Sequence, residues 1–110
     1  GLVSRGVPAT HTWLTAYSPR PRWPSGVRTA PFGSPEGIAA LEAADLVVSN
    51  DCISTRWTKK PGTVYLQTWH GTPLKRIHHD VPQRREQWAG ADRDVPRWDL
   101  LLSQNPASSR

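Results

Sequence analysis

The chain has 110 residues, a mass of 12.3 kDa and a formal net charge of +5, which bounds it to one small domain or one layer of a larger one. Leu, Ile, Val and Phe make up only 21 residues, with six Trp as a partial offset. No apolar run approaches the ~18 residues of a membrane-spanning helix, no secretory signal opens the chain, and the single Cys52 cannot form an intrachain disulfide.

In chain order, His11–Tyr17 alternates weakly and has strand composition. Residues 18–33 hold many of the prolines together with Gly26 and Gly33, and read as a Pro/Gly-rich loop or a surface strand interrupted by turns. Ser34-Pro35 has the form of an N-cap and first helical position, and Ile38, Leu41 and Ala44 recur at helical spacing, predicting a helix over 35–44. Leu46-Val47-Val48 follows as a short buried strand. Lys60-Pro61-Gly62 is a turn, and Thr63–Thr68 is a second strand. Thr72-Pro73 opens another helix, Gln83–Gly90 has helical character, and Trp98–Ser103 is a further buried strand before Asn105-Pro106. This rhythm predicts an α/β layer with a mainly parallel sheet, about half of a Rossmann-like domain.

The charge is uneven. Residues 1–55 carry four basic and four acidic side chains, whereas residues 56–110 carry ten basic and five acidic. A basic half suits an anionic partner or a solvated face. Arg84-Arg85-Glu86 and Asp92-Arg93-Asp94 read as solvated surface of mixed sign. The absence of Met and the Gly at position 1 lead to the expectation of a fragment of a longer protein.

The chemistry concentrates in Tyr65–Ile77, YLQTWHGTPLKRI. A strand ending near Thr68 and a helix capped by Thr72 put His70 in a βα loop, with Gly71 allowing the turn. Open α/β sheets bind ligands at this end of the strands, and a helix N-terminus with Lys75 and Arg76 one turn in favours phosphate. His70 is then a candidate base for a hydroxyl; a structural histidine at a strand end is the competing reading. Trp69 reads as packing and Cys52 as a buried or incidental thiol. His78-His79-Asp80 fits no familiar metal-ligand spacing, and no metal or other cofactor is expected.

That string resembles the signature of the CDP-glycerol glycerophosphotransferases, the teichoic-acid primases and polymerases. Ala44–Asp51 resembles the family's strand leading to an Asn-Asp pair, and Trp98–Ser103 with Asn105-Pro106 its later strand and turn. The resemblance covers residues 34–106, and departs from the family at His78 and Gln104. It implies a GT-B-type two-domain enzyme, with this chain in the Rossmann-like, acceptor-side N-terminal half and the CDP-binding half absent. It implies transfer of glycerol phosphate or a related polyol phosphate from a CDP-activated donor to a hydroxyl of a lipid-linked acceptor, with CMP released. His70 matches the family's proposed base; Gly71 and Thr72 would shape the pocket, and Lys75 and Arg76 would sit near the phosphates. The place of work would be the inner face of the cell membrane, in peripheral contact with it. The alternative is a non-catalytic basic module that binds an anionic membrane or nucleic acid. The scattered aromatics and the lack of a recognised motif speak against nucleic acid.

Overall fold

The computed structural model describes residues 6, 8–16, 23–70 and 89–103. The chain divides into two compact units, residues 1–40 and 41–110.

In the first unit, β1 (His11–Thr15) pairs in parallel with β2 (Val27–Pro31), Trp13 opposite Thr29. The Pro/Gly-rich stretch is therefore not a loop throughout, because β2 lies inside it. Pro31 is tolerated there because its nitrogen faces away from β1, the bond to β1 at this end being made by the Phe32 N–H to the Thr15 carbonyl at 2.9 Å. Trp13 and Trp23 pack with ring centroids 5.4 Å apart. Helix α1 (Pro35–Ala43) begins one residue after its cap. Ser34 Oγ accepts the Gly37 N–H at 3.0 Å and donates to the Pro31 carbonyl at 2.8 Å, joining the helix start to the end of β2.

The second unit is built on a parallel sheet of β3 (Leu46–Ser49), β4 (Val64–Gln67) and β5 (Leu100–Leu101), in that spatial order. Leu46 lies opposite Val64, and Leu66 opposite Leu100. The expected mixed α/β architecture with parallel pairing is present. Lys60-Pro61-Gly62 forms its turn, with Gly62 at φ +87°, a left-handed conformation that costs glycine little. At this lower end of the sheet the Thr63 hydroxyl donates to the Ala44 carbonyl at 2.6 Å, and Lys60 Nζ to the Ala43 carbonyl at 2.8 Å. Asp99 accepts the Tyr65 N–H at 2.6 Å and pairs with Lys59. The Lys59 contact first, and then that N–H, hold the Asp99 carboxyl below its ordinary value.

One sheet face carries the core. Tyr65 and Gln67 are fully buried, and Val47, Ile53, Trp57 and Ala91 are buried near them. Trp57 and Tyr65 lie 6.1 Å apart, and the Arg97 guanidinium sits 5.1 Å from the Trp57 ring centroid. Helix α2 (Ala89–Asp94) and a 3-10 turn (Val95–Arg97) follow. Gly90 passes so close to Ser54 that a Cβ there would come within 2.9 Å of the serine Cβ.

Two expectations are corrected. The strands read as buried on both faces are not: Leu46 and Val48 leave one face of β3 more than half exposed, and in β5 both Leu100 and Leu101 are more than half exposed. Asp94, read as solvated surface, is fully buried. The predicted helix over Gln83–Gly90 overlaps the described residues only at its last two positions, where α2 begins. The Thr72-Pro73 helix start and the Asn105-Pro106 turn lie outside the described residues.

Candidate active site

The site lies at the carboxyl ends of β3 and β4, where the segment after β4 carries His70. Parallel pairing brings the segment after β3, Asn50-Asp51, beside the segment after β4, Thr68-Trp69-His70. The first tie is the Thr68 N–H to the Ser49 carbonyl at 2.8 Å, which extends the strand ladder by one step. Beyond it the pairing is made by side chains.

His70 Nδ1 lies 2.7 Å from the Asn50 carbonyl oxygen. A carbonyl can only accept, so Nδ1 carries the hydrogen, and in the neutral ring the lone pair is at Nε2. The histidine is exposed, so this lone pair belongs to an accessible ring. Its other face is supported by Trp69, stacked at 5.0 Å with 26° between the ring planes. Trp98 meets the Trp69 ring edge-on at 6.3 Å, and its indole N–H donates to Asp94 Oδ2 at 2.9 Å. A series of packed rings thus runs from the exposed imidazole to a buried carboxylate.

Trp69 has φ +57°, among the described residues the one non-glycine with positive φ. A bulky residue held there costs on the order of 1–3 kcal/mol, and such strain persists where the surroundings over-determine it. Here they do: the Trp69 N–H donates to Gln67 Oε1 at 2.8 Å. The same amide donates through Nε2 to the Asp51 carbonyl at 3.1 Å. Asp51 is held again by Ser49, whose hydroxyl donates to the Asp51 carbonyl at 2.6 Å and accepts the Asp51 N–H at 3.3 Å.

Beneath the site, Asp94 Oδ2 accepts from the Ile53 N–H, the Tyr65 hydroxyl and the Trp98 indole, each at 2.9 Å. Arg97 lies 3.6 Å from Oδ1, an ion pair without a hydrogen bond. Burial first, and then the Asp94 charge, push the Tyr65 phenol well above its ordinary range. Burial, with Asp94 and Asp51, likewise raises the Cys52 thiol to about 11, so that thiol is protonated near neutrality.

Of the residues singled out from the sequence, His70 is placed as expected in the loop after the strand. Gly71, Thr72, Lys75 and Arg76 lie outside the described residues, as do His78, His79 and Asp80. Sequence reasoning missed Gln67, Trp98 and Asp94. Gln67 had a faint signal, since it shares the inward period of β4 with Tyr65. Asp94, within an Asp-Arg-Asp run, had none.

A parallel sheet with a histidine at the carboxyl ends of its strands defines a class, the α/β proteins, whose open sheets take ligands at that edge. Comparison with known proteins narrows it. The family model for CDP-Glycerol:Poly(glycerophosphate) glycerophosphotransferase matches residues 6–110, and the chain belongs to that family. It is 43% identical over 58 residues to a teichoic acid glycerol-phosphate transferase of Staphylococcus aureus, covering 46% of this chain and 15% of that one. It is 33% identical over 93 residues to a teichoic acid poly(glycerol phosphate) polymerase of Staphylococcus epidermidis, covering 78% of this chain and 13% of the relative. Among solved structures, a histidine-to-asparagine variant of the wall teichoic acid polymerase TagF superposes with a TM-score of 0.79 at 27% identity, over 98% of this chain and 28% of TagF. The chain thus spans a small share of the length of the relatives it matches.

Proposed function

We propose that this chain forms the acceptor side of a GT-B-type cleft and that His70 is the general base of a glycerophosphate transfer. In this reading an acceptor hydroxyl gives its proton to His70 Nε2. Its oxygen attacks the phosphorus that bears glycerol in CDP-glycerol. The bond from that phosphorus to the bridging oxygen breaks, and CMP leaves with the bond's electrons. A new phosphodiester joins glycerol phosphate to the acceptor, a lipid-linked teichoic-acid-type chain. A related CDP-polyol is served by the same steps. Gly71 and Thr72 would shape the pocket, and Lys75 and Arg76 would offset the phosphate charge. The work would be done at the inner face of the cell membrane, where a lipid-linked acceptor is reached by peripheral contact.

The observation that supports the base is the Nδ1–H bond to Asn50, which leaves Nε2 as the accepting atom of an exposed ring. The donor and acceptor classes rest on family membership. The test is CMP release by the protein at its full natural length, with CDP-glycerol and then CDP-ribitol and a lipid-linked acceptor. His70→Ala should lower kcat about a hundredfold to ten-thousandfold, the usual share of a positioned base. A folded variant that turns over within twofold of the wild type overturns the assignment.

A further inference from the structure

We propose that Gln67 is the positioning residue of His70: its buried amide clamps the loops after β3 and β4 together and so fixes the imidazole against Asn50. The inference rests on the reading of His70 as the base, and it concerns how that base is held.

Three observations carry it. Gln67 is fully buried, yet each half of its amide is satisfied by main chain of a different loop. Nε2 donates to the Asp51 carbonyl and Oε1 accepts from the Trp69 N–H. These contacts fall one residue after Asn50 and one residue before His70, the two partners of the bond that orients the ring. The clamp also holds Trp69 in its left-handed conformation, and the Trp69 ring is the surface on which the imidazole stacks. A plain packing role needs none of this, because an aliphatic side chain of similar size would fill the same volume beside Tyr65. An amide is the side chain that offers both a donor and an acceptor to main chain on either side. A base acts only within hydrogen-bond reach of its proton, so a loop drift of about 1 Å can cost a hundredfold in rate.

The experiment uses the protein at its full natural length, labelled with 15N in its histidine rings, with the His70 signals assigned by their loss in His70→Gln. The wild type should show His70 as a single tautomer with hydrogen at Nδ1. In Gln67→Leu both loop ties are lost. The ring should then populate both tautomers, and kcat should fall by about tenfold to a hundredfold with KM within about twofold. Gln67→Glu has the same size and keeps the acceptor for Trp69, but sets an oxygen against the Asp51 carbonyl. It should shift the ring in the same direction with a smaller loss of kcat, and it answers the question if the leucine variant does not fold. A His70 ring whose tautomer is unchanged in a folded Gln67 variant overturns the proposal, whatever its activity. The two readings fail separately. A changed ring in Gln67→Leu alongside full activity in His70→Ala would uphold the clamp and remove the base.

Discussion

Asp94 shows how much of this site depends on a charge that the solvent never reaches. Its Oδ2 holds three donors from three different places in the chain, and Arg97 supplies the counter-charge. Asp94→Asn keeps the size but removes the negative charge and turns one acceptor into a donor. It leaves Arg97, whose side chain is 18% exposed, without its partner. A loss of about 2–4 kcal/mol is expected, below the full cost for a deeply buried pair because Arg97 retains some water. Tyr65→Phe removes one hydrogen bond and should cost about 1 kcal/mol. Urea unfolding of the two variants checks the order; equal losses would mean that the charge is immaterial. The same carboxylate shapes the alkaline limb. Cys52 and Tyr65 have folded-state pKa values raised above their ordinary ones. Each therefore contributes stability that is fully present below its unfolded pKa and is lost as pH rises through the folded value. For Cys52 that window runs from 9.0 to about 11. The urea midpoint should hold steady up to its lower edge and fall across it, and Asp94→Asn should flatten that fall. None of this was legible in the sequence. An Asp beside an Arg is usually solvated, and only tertiary packing reveals that three donors converge on it.

At the scale of elements, the start of α1 was legible in full, because capping is local chemistry. Ser34 and Pro35 announce it, and Ser34 Oγ caps the Gly37 N–H. Ser34→Ala should cost about 1 kcal/mol by chemical denaturation. Gly37 is the less obvious case. It sits inside the helix, where alanine is favoured over glycine by about 1 kcal/mol on propensity. A Cβ at Gly37, however, would lie 2.5 Å from the Pro31 carbonyl oxygen, a main-chain atom of the strand end to which Ser34 is also bonded. Relief requires the helix to move off β2, so the clash outweighs propensity and Gly37→Ala should destabilise. A rise in unfolding midpoint in that variant would show that β2 yields. The end of β4 was legible on the same local terms, since β-rich Thr63–Thr68 before His-Gly-Thr-Pro marks where a strand ends. The amide clamp was not, because it needs the register that sets Ser49 beside Gln67, and a single sequence does not give the pairing partner.

Across the whole molecule, the aliphatic strands pose the remaining problem. Leu46, Val48, Val64 and Leu100 fall on one face by register, and each is 40–57% exposed. Strings such as Leu-Val-Val and Leu-Leu-Leu report that a strand prefers to be buried on both faces. They do not report whether the covering layer is at hand. Tyr65, Gln67 and Val47, on the opposite face, are covered. An uncovered aliphatic surface of this kind binds apolar dyes and drives association. The 110-residue chain should therefore enhance ANS fluorescence in its folded state and self-associate with rising concentration. Val48→Lys with Leu100→Lys tests the cause. Both positions are more than half exposed, so the lysine stems can lie along the surface with the ammonium groups in water, and the stability cost should stay within about 1 kcal/mol. The dye signal should drop by half or more, and sedimentation should shift toward the monomer. If the signal persists in a folded double variant, the dye-binding surface lies elsewhere. If the double variant unfolds, those positions are packed rather than exposed. The His70 loop bonds do not involve either position, so the loop should keep its geometry in the folded variant. The two faces of β3 and β4 thus separate by function: one presents apolar surface, and the other holds the packed polar network that supports the imidazole.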